Sequence, residues 1–345
     1  MSSISNEAYN LLVLSFIKNI GPACLRSLCS ADAGLPLSLS NCQPSELGDY
    51  LLECSSIMSK KRKEPVSPDE LSKAAALADE QVQKADKLGV SIICSLDEVY
   101  PQRLRLCQDD PVLLYVKGSL SCLNQNTVAV IGSRQPTAHA EIIAQRVSDY
   151  LINHECCIVS GLAYGCDSLA HRQCVQHGAR TVAVLGHGLQ TIYPKEHAEL
   201  AAQIIENGGA LLSQFHIGET AKAYTFAARD AVQAGMSDFT LLIQSALGGG
   251  SMIASGKCLE YGRTLAVIAP TKKDRMQFSD SCRANILLTD QSINPADRAL
   301  QAWPKAKKGS LAYFKILPIA GKDDYPKFDK LYGSALYGGD LLMSA

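Results

Sequence analysis

The chain contains 345 residues, of which 47% are hydrophobic and 19% are charged, with 33 Lys plus Arg against 34 Asp plus Glu. This composition is typical of a globular protein long enough for two domains, and it excludes disordered and fibrous classes. Because the formal net charge is -1, no overall positive field attracts a polyanion. A nucleic-acid site would therefore have to be a local basic patch.

The N-terminus carries an acidic residue before a short apolar stretch, and no basic region precedes that stretch. Nowhere does the sequence reach the run of about 18 apolar residues that a membrane-spanning helix needs. We therefore expect a cytoplasmic protein with neither a signal peptide nor a membrane contact.

The 13 cysteines are odd in number and include no Cys-x-x-Cys pair, so neither a disulfide framework nor a zinc site is predicted. Cys94, Cys156, Cys157 and Cys258 lie in apolar segments, where cysteine behaves as a small hydrophobic residue. We expect these thiols to be packing residues, and we expect no metal and no cofactor.

The first part of the chain predicts a helical unit and a linker. Residues 1–58 are Leu-rich, and the turn at Gly21-Pro22 predicts two helices arranged as a hairpin. Residues 59–67 form a basic linker, in which the run Lys60-Lys61-Arg62-Lys63 is either a solvated loop, the commoner outcome, or a nucleic-acid contact. A helix is predicted from Pro68 to Gly89, inside a segment 68–126 that leads into the core.

From residue 127 onward, short apolar runs alternate with amphipathic helices such as Ala138 to His154. Strands buried on both faces and separated by helices predict βαβ units, hence a Rossmann-like, doubly wound parallel sheet in an α/β fold. We assign this domain to residues 127–295 and leave 296–345 as a C-terminal tail of unknown role. The six predicted strands are Thr127 to Ile131, Cys156 to Ser160, Thr181 to Leu185, Ala210 to Ser213, Phe239 to Ile243 and Thr264 to Ile268.

Glycine-rich turns follow four of these six runs. Because parallel strands end on one edge of the sheet, we expect the turns to converge there as a cradle for a phosphate. The alternative is that the glycines only close tight turns. The glycines of these four turns are Gly132, Gly161 with Gly165, Gly186 with Gly188, and Gly248 to Gly250.

The familiar nucleotide and catalytic signatures are absent from the sequence. Without G-x-G-x-x-G or G-x-x-x-x-G-K-[ST], binding of NAD and hydrolysis of NTP are disfavoured. Asp167 and His171 are four residues apart on a predicted helix, so they could hydrogen-bond. We favour a structural role for that pair over acid–base catalysis, and we predict no catalytic residue.

A series of short motifs runs along the chain: FIKNIGPACLRSL at 16–28, Ile131-Gly132-Ser133-Arg134, Val159-Ser160-Gly161-Leu162-Ala163, Val184-Leu185-Gly186, Tyr193-Pro194, Phe226 with Arg229, Gly250-Ser251-Met252-Ile253 and Asn285. In these motifs and their order, residues 8 to 290 resemble the DNA-processing protein A (DprA, or Smf) family.

This resemblance implies a helix-hairpin-helix (SAM-like) N-terminal domain and a homodimer that binds single-stranded DNA without catalytic turnover. It implies protection of incoming strands in DNA uptake and natural transformation, and loading of a RecA-type recombinase. Arg134 matches the Arg of the family's G-S-R motif, and Arg229 matches the first Arg of its R-N-R stretch. The residues predicted to bind DNA phosphates are Gly132, Ser133, Arg134, Gly161, Gly165, Gly186, Gly188, Arg229, Gly250 and Ser251, supported by Asp167, His171 and Asn285.

Several positions depart from the family pattern. Asp230 and Ala231 replace the Asn and the second Arg of R-N-R, which removes a phosphate donor and adds a negative charge. No C-terminal winged-helix domain is recognisable. The other replacements are Tyr164 for Arg, Gln190 for Asp, Gln214 and Gln244 for Glu, Gly249 for Ser and Arg283 for Gly.

Two alternatives to DNA binding remain open. One is a Rossmann-type sensor of a nucleotide-derived ligand. The other is a nucleotide-processing enzyme similar to the phosphoribohydrolases, which is disfavoured because Gly248-Gly249-Gly250-Ser251 and Glu260 lack that family's Pro and its spacing.

Overall fold

The computed structural model describes residues 4–31, 42, 44–53, 65–277, 280–304 and 315–333. The helices within these residues are α1 (Asn6–Ser15), α2 (Pro22–Ala31), α3 (Leu47–Glu53), α4 (Pro68–Leu88), α5 (Gln102–Arg105), α6 (Ala138–Asn153), α7 (Cys166–Gln176), α8 (Ala198–Glu206), α9 (Ala223–Gly235), α10 (Ser251–Glu260), α11 (Lys272–Gln277), α12 (Arg283–Thr289) and α13 (Pro295–Ala302). The strands are β1 (Val90–Cys94), β2 (Leu113–Gly118), β3 (Thr127–Ile131), β4 (Cys157–Ser160), β5 (Thr181–Val184), β6 (Ala210–Ser213), β7 (Phe239–Leu242), β8 (Thr264–Ile268) and β9 (Lys315–Ile319).

These strands form one sheet in the order β1-β2-β6-β5-β4-β3-β7-β8-β9. The strands from β6 to β9 in this order are parallel, and helices between them cover the sheet, as in a Rossmann-like doubly wound fold. All six runs predicted from the sequence are strands, β3 to β8, with bounds that differ by at most one residue at either end. The predicted fold class is therefore confirmed.

Three strands lie outside the predicted core segment 127–295. β1 and β2 pair with each other and extend the sheet at β6 in antiparallel orientation, and β9 adds to the other edge beside β8. The supposed C-terminal tail thus contributes a strand, and the rings of Phe239 and Phe328 stack with their centroids 5.3 Å apart. These strands lie outside the alternation of apolar runs and helices that begins at residue 127, so that pattern does not predict them.

The helical unit at the N-terminus shares its core with the sheet. Leu11 and Leu12 of α1 are fully buried in one cluster with Leu113 and Tyr115 of β2. The 21-residue helix α4 begins where the sequence predicts, since the Ser67 hydroxyl accepts a hydrogen bond from the Glu70 N–H, and it ends at Gly89 with φ 64°. The basic run Lys60 to Lys63 lies outside the described residues.

The cysteines follow the prediction that they are packing residues. Cys94, Cys156, Cys157 and Cys258 are at most 4% exposed, and all cysteines of the described residues are free thiols. Burial raises the pKa of Cys156 to about 11, so this thiol stays protonated at neutral pH. In the described part of the chain, no helix has the length and apolar character to cross a bilayer, and no cluster of His, Cys, Asp or Glu could hold a metal.

A buried ion pair joins elements that are distant along the chain. The Arg103 Nε donates to Asp238 Oδ1 at 2.7 Å, and these side chains are 4% and 0% exposed. The other carboxylate oxygen of Asp238 accepts the N–H of Thr127 at 3.3 Å, and Gly333 N–H donates to Oδ1 at 3.0 Å. The pair therefore ties α5 and the C-terminal segment to the starts of β3 and β7.

Replacing Asp238 with alanine should destabilise the protein by about 3–5 kcal/mol, because the Arg103 charge would remain buried without its partner. Urea denaturation measures this loss. The matched control is Asp323→Ala at an exposed position, which should change the free energy of unfolding by less than about 0.5 kcal/mol. Equal effects of the two substitutions would show that the buried pair does not hold these elements together.

Candidate functional site

A cavity of about 500 Å³ opens between the carboxyl ends of β3 and β7. The chain crosses from β3 to β4 on one side and returns to β7 on the other, so this is the switch point at which doubly wound sheets bind ligands. Its lining residues are Ile131, Gly132, Ser133, Arg134, Ala163, Asp167, Ala223, Phe226, Ala227, Arg229, Asp230, Gln233, Ser245, Ala246, Gly249, Gly250, Ser251, Ile253, Ala254 and Ser281.

Arg134 is an exposed side chain at the mouth of this cavity. It follows β3 directly, and its guanidinium carbon lies 5.8 Å from the centroid of the Phe226 ring. Hydrogen bonds hold both the backbone and the side chain of the neighbouring Ser133: its N–H donates to the Gln244 carbonyl at 2.7 Å, and its hydroxyl accepts from the Gln135 N–H at 3.0 Å. The loop is thus fixed while the arginine is presented to solvent.

The N-terminus of α10 faces the same cavity. Gly250 precedes the helix, and the Ser251 hydroxyl donates to the Ser245 hydroxyl at 2.7 Å. Free N–H groups and the dipole at the start of a helix attract anions. Asn285 holds the loop from behind: its Oδ1 accepts the Ser245 N–H at 2.8 Å, and its Nδ2 donates to the Ile268 carbonyl at 2.9 Å. Asn285, which was predicted to support the site, is thus buried beneath it.

Arg229 lines the cavity but is buried, with 5% exposure, which differs from an open phosphate contact. Its Nη1 donates to the Val184 carbonyl at 3.1 Å, and its Nε lies 2.9 Å from Asp230 Oδ1. The guanidinium also fills the space that a side chain at position 161 would occupy. Because its charge is largely neutralised by Asp230, Arg134 is the arginine of the cavity lining that is open to an anion.

The inner wall of the cavity carries two carboxyl groups. Burial raises the pKa of Asp230 to about 6, against the opposing effect of the Arg229 charge. Burial also raises the pKa of Asp167, which accepts a hydrogen bond from the Gly161 N–H at 3.1 Å. The cavity is therefore basic at its mouth and acidic inside.

Asp167 and His171 do not form the hydrogen bond that their spacing allows. The Asp167 carboxylate accepts a hydrogen bond from the Gly161 backbone N–H, and His171 Nδ1 lies 2.8 Å from the Thr181 hydroxyl. Burial lowers the pKa of His171 to about 3, so the ring is neutral at neutral pH. The competing partners come from other loops and strands, which the helical spacing does not reveal. His171 does not line the cavity, whereas Asp167 does and is bonded to the loop at Gly161.

Steric contacts require glycine at several of these turns. A Cβ at Gly132 would lie 2.8 Å from the Cβ of Cys166, and a Cβ at Gly165 would lie 2.7 Å from the Arg134 carbonyl carbon. Gly161, Gly165, Gly186 and Gly188 are absent from the cavity lining, where they were expected as phosphate contacts. The six predicted binding residues that do line the cavity are Gly132, Ser133, Arg134, Arg229, Gly250 and Ser251.

Two departures from the family pattern have structural partners. The Gln244 Oε1 accepts the N–H of Thr137 at 2.9 Å, and the Gln190 Oε1 accepts the N–H of Gly218 at 2.9 Å. Ala231 is half-buried and does not line the cavity. Glu260, which the phosphoribohydrolase alternative would need at the site, lies at the far end of α10. Its carboxylate pairs with the Lys257 Nζ at 2.9 Å.

Sequence reasoning missed the part of the site formed by Ser245, Gln233 and Ile253. Ser245 could have been found, because it comes three residues after the end of β7, where a βα turn would place it at the edge. Gln233 is buried on α9, and Ile253 is 42% exposed on α10, so their convergence depends on how these helices pack.

Comparison with known proteins identifies the family. The DNA recombination-mediator protein A family matches residues 91–301, more than half of the chain. This chain belongs to that family. Protein Smf of Escherichia coli (strain K12) is 39% identical over 166 residues, 48% of this chain and 44% of that protein. DNA processing protein DprA of Streptococcus pneumoniae is 36% identical over 187 residues, 54% of this chain and 65% of that protein.

Solved structures of family members share the fold. The S. pneumoniae DprA crystal structure superposes with a TM-score of 0.61 at 26% identity, covering 84% of this chain and 99% of that one. DNA processing protein A of Helicobacter pylori, described for its single-stranded DNA binding mode, has a TM-score of 0.55 at 23% identity, covering 70% of this chain and 97% of that one. The sequence matches to the E. coli and S. pneumoniae relatives span less than two thirds of either protein.

Gly165→Ala should destabilise the protein by about 3 kcal/mol or more, because the substitution combines a glycine-only backbone conformation (φ 74°, ψ -127°) with overlap at the β3 loop. The control is Gly178→Ala, where φ is 63° but no atom lies within 4 Å of the added Cβ. That change should cost only about 1–2 kcal/mol. Urea denaturation compares the two variants, and equal costs would mean that a Cβ at position 165 does not overlap the β3 loop.

Proposed function

We propose that this chain binds single-stranded DNA at the switch-point cavity, without catalytic turnover. The observation that carries the proposal is the exposed Arg134 at the mouth of the cavity, next to the N-terminus of α10. Arginine and backbone N–H groups contact phosphates without reading base sequence. Supporting this, the H. pylori family member is described as having a single-stranded DNA binding mode.

The cellular role that we propose follows the family. The chain protects incoming strands during DNA uptake and transformation, and it assists loading of a RecA-type recombinase as a cytoplasmic homodimer. The family description, a DNA recombination mediator, supports this assignment. The exposed Leu247 and Ile253 next to the cavity are apolar side chains that a second copy could cover.

A nucleotide-derived ligand is the second candidate, favoured by the size of the cavity. About 500 Å³ lies within the range of small-molecule pockets, and the inner carboxyl groups would accept hydrogen bonds from a base or a ribose. Thermal-shift measurements with mononucleotides and cyclic nucleotides test this candidate beside titration with single-stranded DNA.

Arg134→Ala should weaken binding of oligo-dT and oligo-dA alike, by about tenfold, because one charge-assisted phosphate contact is lost. The plot of log affinity against log salt concentration should become shallower, with the magnitude of its slope reduced by about 0.7 for the lost contact. Fluorescence anisotropy at several salt concentrations measures both quantities. Arg172→Ala serves as the control, since Arg172 is exposed on α7 and does not line the cavity. If affinity and slope stay unchanged in Arg134→Ala, this arginine does not contact DNA.

Binding should strengthen as the pH falls from 7.5 to 5.5. Because the pKa of Asp230 is raised to about 6, this carboxylate is ionised above that pH and takes up a proton below it. Protonation removes a negative charge near Arg134, and one nearby charge is worth about 1–2 kcal/mol, or about tenfold in affinity.

The Asp230→Asn variant should bind at pH 7.5 about as tightly as the unmodified protein does at pH 5.5. It should also lose most of the pH dependence. A pH dependence that is the same in the variant would exclude Asp230 as its source.

A further inference from the structure

Exposed aromatic rings lie near the mouth of the cavity. Tyr164 is 45% exposed and Tyr193 is 55% exposed. The half-buried Phe226 lies between them in the cavity lining. Large aromatic side chains that stay in solvent on one surface mark a site where another apolar or planar group binds.

These rings form a continuous strip with Arg134. Tyr164 and Arg134 together line a second, shallow concavity beside the main cavity. The Arg134 guanidinium lies 5.8 Å from the centroid of the Phe226 ring, and the Phe226 and Tyr193 centroids are 6.0 Å apart. The strip thus consists of Tyr164, Arg134, Phe226 and Tyr193, with the positive charge among aromatic rings and with the hydroxyls of Tyr164 and Tyr193 near each other.

Two rings of the strip, Tyr164 and Phe226, are held in place. The Tyr164 hydroxyl donates to Glu196 Oε2 at 2.7 Å, and its ring contacts that of His197 edge-on, with the centroids 5.0 Å apart. Phe226 packs over Gly186, where a Cβ would come within 2.8 Å of its ring. A ring that is fixed by its edge or hydroxyl and open on its face loses little entropy when a planar group stacks on it.

We propose that the aromatic strip stacks successive nucleobases, with one base on Tyr164, one on Tyr193, and the phosphates between them at Arg134. This inference rests on the proposed binding of single-stranded DNA. Aromatic stacking tolerates any base, because every base has a flat π-face, and it complements a phosphate contact that carries no sequence information. Tyr164 stands where the family pattern has an Arg, so in this chain a charged contact is exchanged for a stacking contact.

The test separates bases from phosphates. Tyr164→Ala and Tyr193→Ala are each titrated with oligo-dT of about 15 nucleotides and with an abasic strand of the same length, which keeps every phosphate. Each substitution should weaken oligo-dT binding by about tenfold, while binding of the abasic strand and the salt slope stay unchanged. Tyr164→Phe and Tyr193→Phe should restore binding, because they keep the ring. Leu106→Ala, at a side chain that is 63% exposed outside the strip, should have no effect.

Three results would overturn the proposal. Unchanged oligo-dT affinity in both alanine variants would show that the strip binds no base. An equal loss with the abasic strand would show that the tyrosines act on the phosphate contact or on folding, which thermal unfolding of each variant resolves. A shift of the alanine variants from dimer to monomer in light scattering, without a change in DNA affinity, would assign the strip to a second copy of the chain.

The stacking proposal and the proposed function fail in different ways. If Arg134→Ala weakens binding and the tyrosine variants do not, DNA binding stands and stacking fails. If the unmodified protein binds neither strand at any salt concentration, the proposed function itself fails.

Discussion

The close approach of the β3 loop to the start of α7 is the constraint on which the site depends. Glycines at 132 and 165 allow the two backbones to touch, and the Cys166 N–H donates to the Ser133 carbonyl at 3.1 Å. Any larger side chain at either glycine would push the loop that carries Arg134 away from α7. The glycines of this edge therefore act mainly on geometry, and only some of them face the cavity.

The second determinant is how the charges of the cavity are distributed. Arg229 is held between Asp230 and the Val184 carbonyl, so a cation that could have bound an anion instead stabilises the wall of the cavity. Removing either partner of such a buried pair is costly, because the remaining charge stays desolvated. The result is a cavity whose anion-binding capacity depends on Arg134 and the start of α10, with a titratable carboxylate beside them.

The sheet is larger than its Rossmann-like centre because strands from before and after residues 127–295 add to it. β1 and β2 extend one edge and join the N-terminal helices to the core, whereas β9 covers the other edge. The buried pair between Arg103 and Asp238 fastens these additions to β3 and β7. The rigid scaffold beneath the site is thus assembled from segments 135 residues apart in sequence.

Elements whose signal is local can be predicted from the amino-acid sequence alone. Apolar runs specify β3 to β8, a Ser cap and a terminal Gly bound α4, and parallel strand ends bring Gly132, Arg134 and Ser251 to one edge of the sheet. Three other features follow from tertiary packing: Arg229 is buried against Asp230, Asp167 bonds to Gly161 and not to His171, and residues 315–319 form a strand. The reason is physical: periodicity and capping depend on neighbours within one turn or strand, whereas the partner of a buried charge or an edge strand is chosen by packing between distant segments.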